Sequence, residues 1–265
     1  MKKHFTLFLG ILISCTITAQ QNYEKKKFIA SDQSVLNYRE LKPTEIEKNR
    51  SYPLVLFMHG AGERGSDNEK QLFHGSGMFE NPVNQEKYPA FVIFPQCPED
   101  KYWAFDSRPT SFMPDSMPLR KDPTPLIKSV KELVDQYALL PEIDKNRIYV
   151  IGLSMGGMAT YELTGRYPDL FAAAIPICGT VNPQRLQDVK EIAFRIYHGD
   201  ADSVVPVSGS REAYKTLKKQ GVDVTYFEFP GVNHGSWHPA FNQSDFMDWL
   251  FSQSKNSERE NLNLD

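Results

Sequence analysis

Arg147-Ile148-Tyr149-Val150-Ile151-Gly152-Leu153-Ser154-Met155-Gly156-Gly157 is the stretch on which the fold turns. An apolar run of strand length passes through G-x-S-x-G into a helix-forming segment, 155–167, that Pro168 closes. A serine so placed sits on a very tight turn, and its flanking positions must be glycine because any Cβ there would strike the neighbouring strand or helix. The hydroxyl then stands clear of the backbone. It is a poor nucleophile at neutral pH, so the placement carries chemistry only if a base and an acid arrive from elsewhere in the chain.

Strand and helix alternate on both sides of this stretch. Strands are expected at 25–30, 34–42, 53–59, 90–95, 147–153, 172–177, 194–198 and 224–229. The first two have the mixed polarity of a sheet edge. The next four are near-continuous Val, Ile and Phe, as in strands buried on both faces of a mostly parallel sheet. Segment 124–137 carries Leu126, Ile127, Val130, Leu133 and Val134 at helical spacing, with Pro123 and Pro125 at its start, and 208–220 ends at Gly221. This order predicts a doubly wound, mostly parallel α/β sheet of about eight strands. Residues 96–123 hold five prolines and are expected as a structured loop, whereas 179–192 is too short for a helical cap domain, so the cleft should be open.

Acyl transfer needs a nucleophile, a base and an acid that orients the base, and strand ends supply all three in order. Ser154 follows the strand at 147–153. Asp202 follows 194–198 in His198-Gly199-Asp200-Ala201-Asp202, and His234 follows 224–229 in Gly231-Val232-Asn233-His234-Gly235. Asp200 competes for the acid role but is placed to cap its own loop; His238 competes for the base but lies farther from the strand end, before Pro239. His59 belongs to the loop His59-Gly60-Ala61-Gly62, and His74 and His198 are read as structural. The amides of Met155 and of the glycine loop are the expected oxyanion donors, against the bland alternative of an ordinary glycine turn. Phe73, Trp103, Phe105, Phe112 and Trp237 all fall in loops at the carboxyl ends of strands, where they could stack on a substrate. Glu63 and Arg64 could bind polar substrate groups or simply pair with each other.

The ends and the composition set further bounds. Lys2 and Lys3 precede an apolar stretch at 5–17 that exits at Thr18-Ala19-Gln20, which reads as an export signal over 1–20. Leu12-Ile13-Ser14-Cys15 also resembles a lipobox, so lipid anchoring at Cys15 is the alternative route to a periplasmic, secreted or outer-membrane location. Loss of Lys2 and Lys3 leaves 28 basic against 33 acidic side chains, a net charge of −5 that argues against nucleic acid as a partner. Cys97 and Cys178 end strands three positions apart in the expected sheet. That is about 14 Å at normal strand spacing, too far for a disulfide, so both are expected as free thiols. No metal-ligand spacing occurs and the chemistry calls for no cofactor. The catalytic domain is expected over 21–252, followed by a polar, disordered tail at 253–265.

The blocks HGAGERGSDN, FPQCPEDKYW, NRIYVIGLSMGG, RYPDLFAAAIPICG, HGDADSVVP and GVNHGSW resemble secreted bacterial α/β-hydrolase esterases. The nearest groups are the polyhydroxybutyrate-depolymerase-like and the feruloyl/acetylxylan (carbohydrate esterase family 1) enzymes, also labelled predicted peptidases. The resemblance, which runs from 50 to 250, implies Ser154, Asp202 and His234 as catalytic residues and Ala61 and Met155 as oxyanion donors. It also implies that Gln96 and Trp103 line the acyl pocket; Trp237 is expected to bind substrate on the strength of its loop position alone. The implied substrate is a small-molecule or polysaccharide-linked ester. A peptidase of the prolyl-oligopeptidase type, a lipase or phospholipase, and a non-catalytic binding module are the competing readings. The first would usually carry a gating domain and the second an apolar lid.

Overall fold

The computed structural model describes residues 22–255. The expected export signal, Cys15 and positions 256–265 lie outside them. Among the described residues eight strands, β1 (Glu24–Ile29), β2 (Val35–Leu41), β3 (Tyr52–Met58), β4 (Phe91–Pro95), β5 (Ile143–Leu153), β6 (Ala173–Ile177), β7 (Ala193–Gly199) and β8 (Val224–Phe229), form one sheet. Their order is β1-β2-β4-β3-β5-β6-β7-β8. β1 and β2 are antiparallel to each other and β2 to β4, while β4 through β8 run parallel. The mixed-polarity strands thus form the edge, as expected. β5 starts at Ile143, earlier than the apolar run alone suggests.

Among the described residues seven helices cover the sheet: α1 (Ser76–Glu80), α2 (Pro82–Lys87), α3 (Pro125–Ala138), α4 (Met155–Arg166), α5 (Ser208–Lys219), α6 (Trp237–Phe241) and α7 (Phe246–Ser252). Alternate residues of each central strand face opposite layers. Leu54, Leu56, Ile148 and Val150 pack against α3, α4 and α5 through Ile127, Val130, Ala159, Leu163 and Leu217. Val55, Phe57, Tyr149 and Ile151 meet Phe79 of α1 and Phe246, Leu250 and Phe251 of α7 on the other side. Each such fully buried side chain stabilises the fold by about 1.5–3 kcal/mol. α4 runs through the middle of its layer and is buried from Met155 to Thr164.

Two features position the site. Register pairs Met58 with Gly152 and Leu153 with Ile177, so the loops leaving β3, β5 and β6 emerge side by side. The Pro-rich segment 96–123 is held to the body by a buried charged cluster. Arg166 and Arg185 converge on Glu162 of α4 and give further N–H groups to the carbonyls of Arg120, Lys121 and Asp122. Between β6 and β7 the chain makes only a single 3-10 turn, Pro183–Leu186, so no cap domain is inserted there.

Cys97 and Cys178 are buried and free, at the ends of strands three places apart, as expected. The polar tail differs at its start. Gln253 accepts from the Tyr149 hydroxyl at 2.7 Å and the Lys255 amide donates to Asn146 at 3.0 Å, which docks 253–255 on the domain. Among the described residues no helix is long and apolar enough to cross a membrane.

Candidate active site

Ser154 occupies φ 53°, ψ −116°, a conformation that costs a non-glycine residue on the order of 1–3 kcal/mol. Surrounding packing holds it there. Its amide donates to Ile177 at 2.8 Å and its carbonyl accepts from Met158 at 3.0 Å. A Cβ on Gly152 would lie 2.2 Å from the Gly156 carbonyl oxygen, and one on Gly156 would lie 1.9 Å from that of Met58. The turn therefore exists only with glycine at both places, and it lifts the serine side chain off the end of β5.

His234 Nε2 lies 2.9 Å from Ser154 Oγ, and its Nδ1 lies 2.8 Å from Asp202 Oδ2. The other oxygen of Asp202 accepts the amides of Val204 and Val205 at 2.9 Å each. Burial by itself would raise the Asp202 carboxyl, but hydrogen bonds from His198, His234 and these two amides outweigh it and hold the group far below the usual carboxylate range. Asp202 is thus an anion, and His234 must carry its proton on Nδ1 to satisfy it. The Nε2 lone pair then faces the serine hydroxyl, the polarity a general base requires.

The rivals are occupied elsewhere. Asp200 accepts the Gly231 amide at 2.6 Å and so ties the β7 and β8 loops together. His238 packs tilted against Trp237 and edge-on against His74, with ring centroids 5.6 and 6.0 Å apart.

Ala61 opens a 3-10 turn, Ala61–Glu63, and Met155 opens α4; both line the same cavity as Ser154. First-turn amides have no intrahelical acceptor and are free to meet an anion. His59 braces the Ala61 loop from behind. The Cys97 amide donates to its Nε2 at 3.0 Å, so Nδ1 holds the proton and donates to the Gly60 carbonyl at 2.6 Å. Burial drives this imidazole down to about 4. The unfolded chain takes up that proton near the ordinary histidine value, about 6.5, so stability falls as pH drops from there towards the folded value. His59 alone should remove about 3 kcal/mol across that interval. Denaturant titrations of wild type and His59→Gln between about pH 7 and about pH 4 should show a distinctly shallower pH slope in the variant; equal slopes would refute the buried neutral imidazole.

The cavity measures about 420 Å³. Tyr102, Phe112, Met158, Val205 and Trp237 supply its apolar wall, and Glu63, Arg64, His74 and Arg108 its polar part. Trp237 also stands edge-on to the His234 ring at 5.6 Å. Arg64 donates to the carbonyls of Ala61 and Lys101 rather than pairing with Glu63, whose carboxylate instead lies 3.8 Å from His74, an imidazole that burial shifts towards its neutral form. Arg108 lies over the Phe112 ring at 5.2 Å.

Two expected pocket residues are elsewhere. Gln96 is buried beneath the loop, accepting from Asn68 at 2.7 Å and donating to Asp67 at 2.8 Å, so it braces 63–68 instead of touching the cavity. Trp103 is fully buried and donates its indole N–H to the His59 carbonyl at 3.1 Å. Its neighbour Tyr102 faces the cavity in its place, an inversion of phase that loop sequence does not encode. Met158 was open to detection, being one helical turn beyond Ser154. Phe105 is core and Phe73 is 78% exposed.

Cys178, Asp202 and His234 bring potential metal ligands within 4.8 Å of one another. The carboxylate and imidazole are already bonded to each other, and burial raises the thiol well above its ordinary value, which disfavours the thiolate a metal would need.

Comparison with known proteins agrees with this architecture. A solved thermostable esterase superposes with a TM-score of 0.80 at 35% identity, over 88% of this chain and 63% of its own. Lysophospholipase-like protein 1 of Mus musculus is 26% identical over 68% of this chain and 79% of its own length. Feruloyl esterase B of Talaromyces funiculosus is 28% identical over 48% of this chain and 32% of its own. The chain therefore spans less than two thirds of two of these three relatives. Residues 42–247 match the Phospholipase/Carboxylesterase family. With that match over most of its length and an eight-stranded sheet of the same design, the chain belongs to the phospholipase/carboxylesterase family of α/β-hydrolases.

Proposed function

We propose that the chain is a serine carboxylic ester hydrolase working through an acyl-enzyme on Ser154. The observation that carries this reading is the Ser154–His234–Asp202 relay, at 2.9 and 2.8 Å, opening onto a cavity that Ala61 and Met155 also line. His234 takes the serine proton as Oγ attacks the ester carbonyl, and Asp202 stabilises the imidazolium that forms. The tetrahedral oxyanion settles on the amides of Ala61 and Met155. His234 then protonates the departing alcohol, and water repeats the sequence to release the acid.

The oxyanion assignment has its own test. Gly60 is extended, at φ −78° and ψ −177°, and Ala61 is the first residue of its turn. Proline fits both conditions, so Ala61→Pro should fold while deleting one donor. Its kcat should fall about 10²–10³-fold with little change in KM; a fall below about threefold would remove Ala61 from the role.

For the substrate we infer a feruloyl or acetyl ester, carried on plant polysaccharide and met after export of the protein. Support comes from the motif resemblance, the aromatic wall of Tyr102, Phe112 and Trp237, and a cleft without an inserted cap. A second reading, a lysophospholipase-type carboxylesterase, is favoured by the family match and the murine relative. Initial rates on p-nitrophenyl acetate, methyl ferulate, acetylated xylan, a lysophospholipid and a prolyl peptide anilide separate them. Turnover of ferulate or acetylxylan with silence on the anilide is expected. Preference for the lysophospholipid would install the second reading, and turnover of the anilide would make the chain a peptidase.

A further inference from the structure

His198 has no part in the reaction derived above, yet its ring is fully buried and directed at the relay. It stands near the end of β7, four residues before Asp202. Its Nε2 lies 3.1 Å from Asp202 Oδ2, the same oxygen that receives His234, and 3.0 Å from the Val205 carbonyl oxygen. Both neighbours of Nε2 are acceptors, so this nitrogen carries a proton in either charge state of the ring. On the far side Nδ1 lies 2.7 Å from Ser210 Oγ in α5, which in turn lies 3.3 Å from the Gly179 carbonyl. The ring is thereby pinned between α5 and the acid loop.

The carboxylate of Asp202 has four donors on two oxygens. Two backbone amides hold Oδ1, and two imidazoles share Oδ2. We propose that His198 is a positioning residue for the acid: its Nε2–H keeps Oδ2 aligned with His234 and draws off part of the charge that oxygen would otherwise present to the base. The relay is then an array of four groups, Ser154, His234, Asp202 and His198. This inference rests on the ester-hydrolase reading above.

Other ionisable groups face this array. Glu228 is opposite His198 in the β7–β8 register, but Arg211 and the Tyr226 hydroxyl engage it. Cys178, at the end of β6, reaches within 4.8 Å of Asp202 and His234 but stays a thiol through burial. Tyr161 of α4, fully buried on the Ser210 side, is likewise held neutral. None of them replaces a lost donor on Oδ2. Without His198 the carboxylate would act on His234 alone, favour the imidazolium, and make the base take up its proton at higher pH.

The test is the pH profile of kcat/KM for p-nitrophenyl acetate in wild type, His198→Leu, His198→Gln and Ser154→Ala. Leu removes the donor, while Gln keeps an N–H near the Nε2 position. His198→Leu should lose about tenfold or more in kcat, hold KM within about twofold, and move its acid limb up by about half a pH unit. His198→Gln should stay within about threefold with its limb in place. An acid limb that stays put or moves down in His198→Leu, or equal impairment of both variants in step with lost thermal stability, would overturn the proposal. If His198→Leu does not fold, imidazole ¹⁵N–¹H spectra of the wild-type protein decide: the His198 Nε2–H resonance should move on Asp202→Asn, and an unmoved signal refutes the contact. Full turnover in Ser154→Ala would instead sink the underlying reading.

Discussion

Replacing Ser154 with alanine should lower kcat about 10⁶-fold, the scale seen when a serine nucleophile is removed from a triad. In barrier terms this is about 8 kcal/mol, far above what any single binding contact supplies. The loss should fall on kcat with the fold intact. Alanine has the same Cβ as serine, and the strained backbone of residue 154 is held by its amide on Ile177 and by the packed glycines, not by Oγ. The thermal midpoint should therefore stay within about 2 °C of wild type. Stopped-flow or steady-state rates with a chromogenic ester, alongside a melting curve, give both quantities. Residual turnover within tenfold of wild type would place the nucleophile elsewhere.

Asp202→Asn should cost about 10⁴-fold in kcat, while Asp200→Asn should stay within about threefold, as a change away from the reacting groups does. An asparagine at 202 can keep its oxygen on the Val204 and Val205 amides, where Oδ1 sits now. Its NH₂ then faces His234 and also the Nε2–H of His198, which loses its acceptor at residue 202 and keeps only the Val205 carbonyl. His234 Nδ1 must become the acceptor, its proton passes to Nε2, and the ring presents a donor to Ser154 where it formerly presented a lone pair. The nucleophile loses its base without any gross rearrangement. Asp200, by contrast, holds only the Gly231 amide, and asparagine can accept the same bond. A reversal of the two effects would exchange the roles of the two aspartates.

The frame of this fold was legible because burial on both sheet faces leaves continuous apolar runs. The strands at 53–59, 90–95 and 172–177 appear with ends shifted by at most one residue, and the strand at 147–153 extends back to Ile143. Long helices with a full apolar stripe, such as α3, were equally readable. The layer on the other face was not. α1, α2, α6 and α7 are five to seven residues long, too few turns for a 3.6-residue period to emerge, although Asn81-Pro82 carries a cap signal that the structure uses at α2.

The site divides along the same line. Ser154, Asp202 and His234 come together because each follows a strand whose position in the sheet is dictated by topology. Gln96 and Trp103 lie in loops, where no period sets which side chain faces the cavity. The resemblance that marked them located the right segment, but their contacts are with Asn68, Asp67 and His59. His198 illustrates a third case. As a histidine near the end of a buried strand, it reads as structural, and only its distance to Asp202 Oδ2 links it to the chemistry.

Covalent capture of the nucleophile tests the central claim most directly. The purified protein is treated with an alkyl fluorophosphonate, its intact mass recorded, and the labelled peptide sequenced. One adduct per chain on Ser154, formed in step with loss of esterase activity and absent from Ser154→Ala, is the predicted result. Labelling at another residue, or full activity in a protein quantitatively labelled at Ser154, would contradict it.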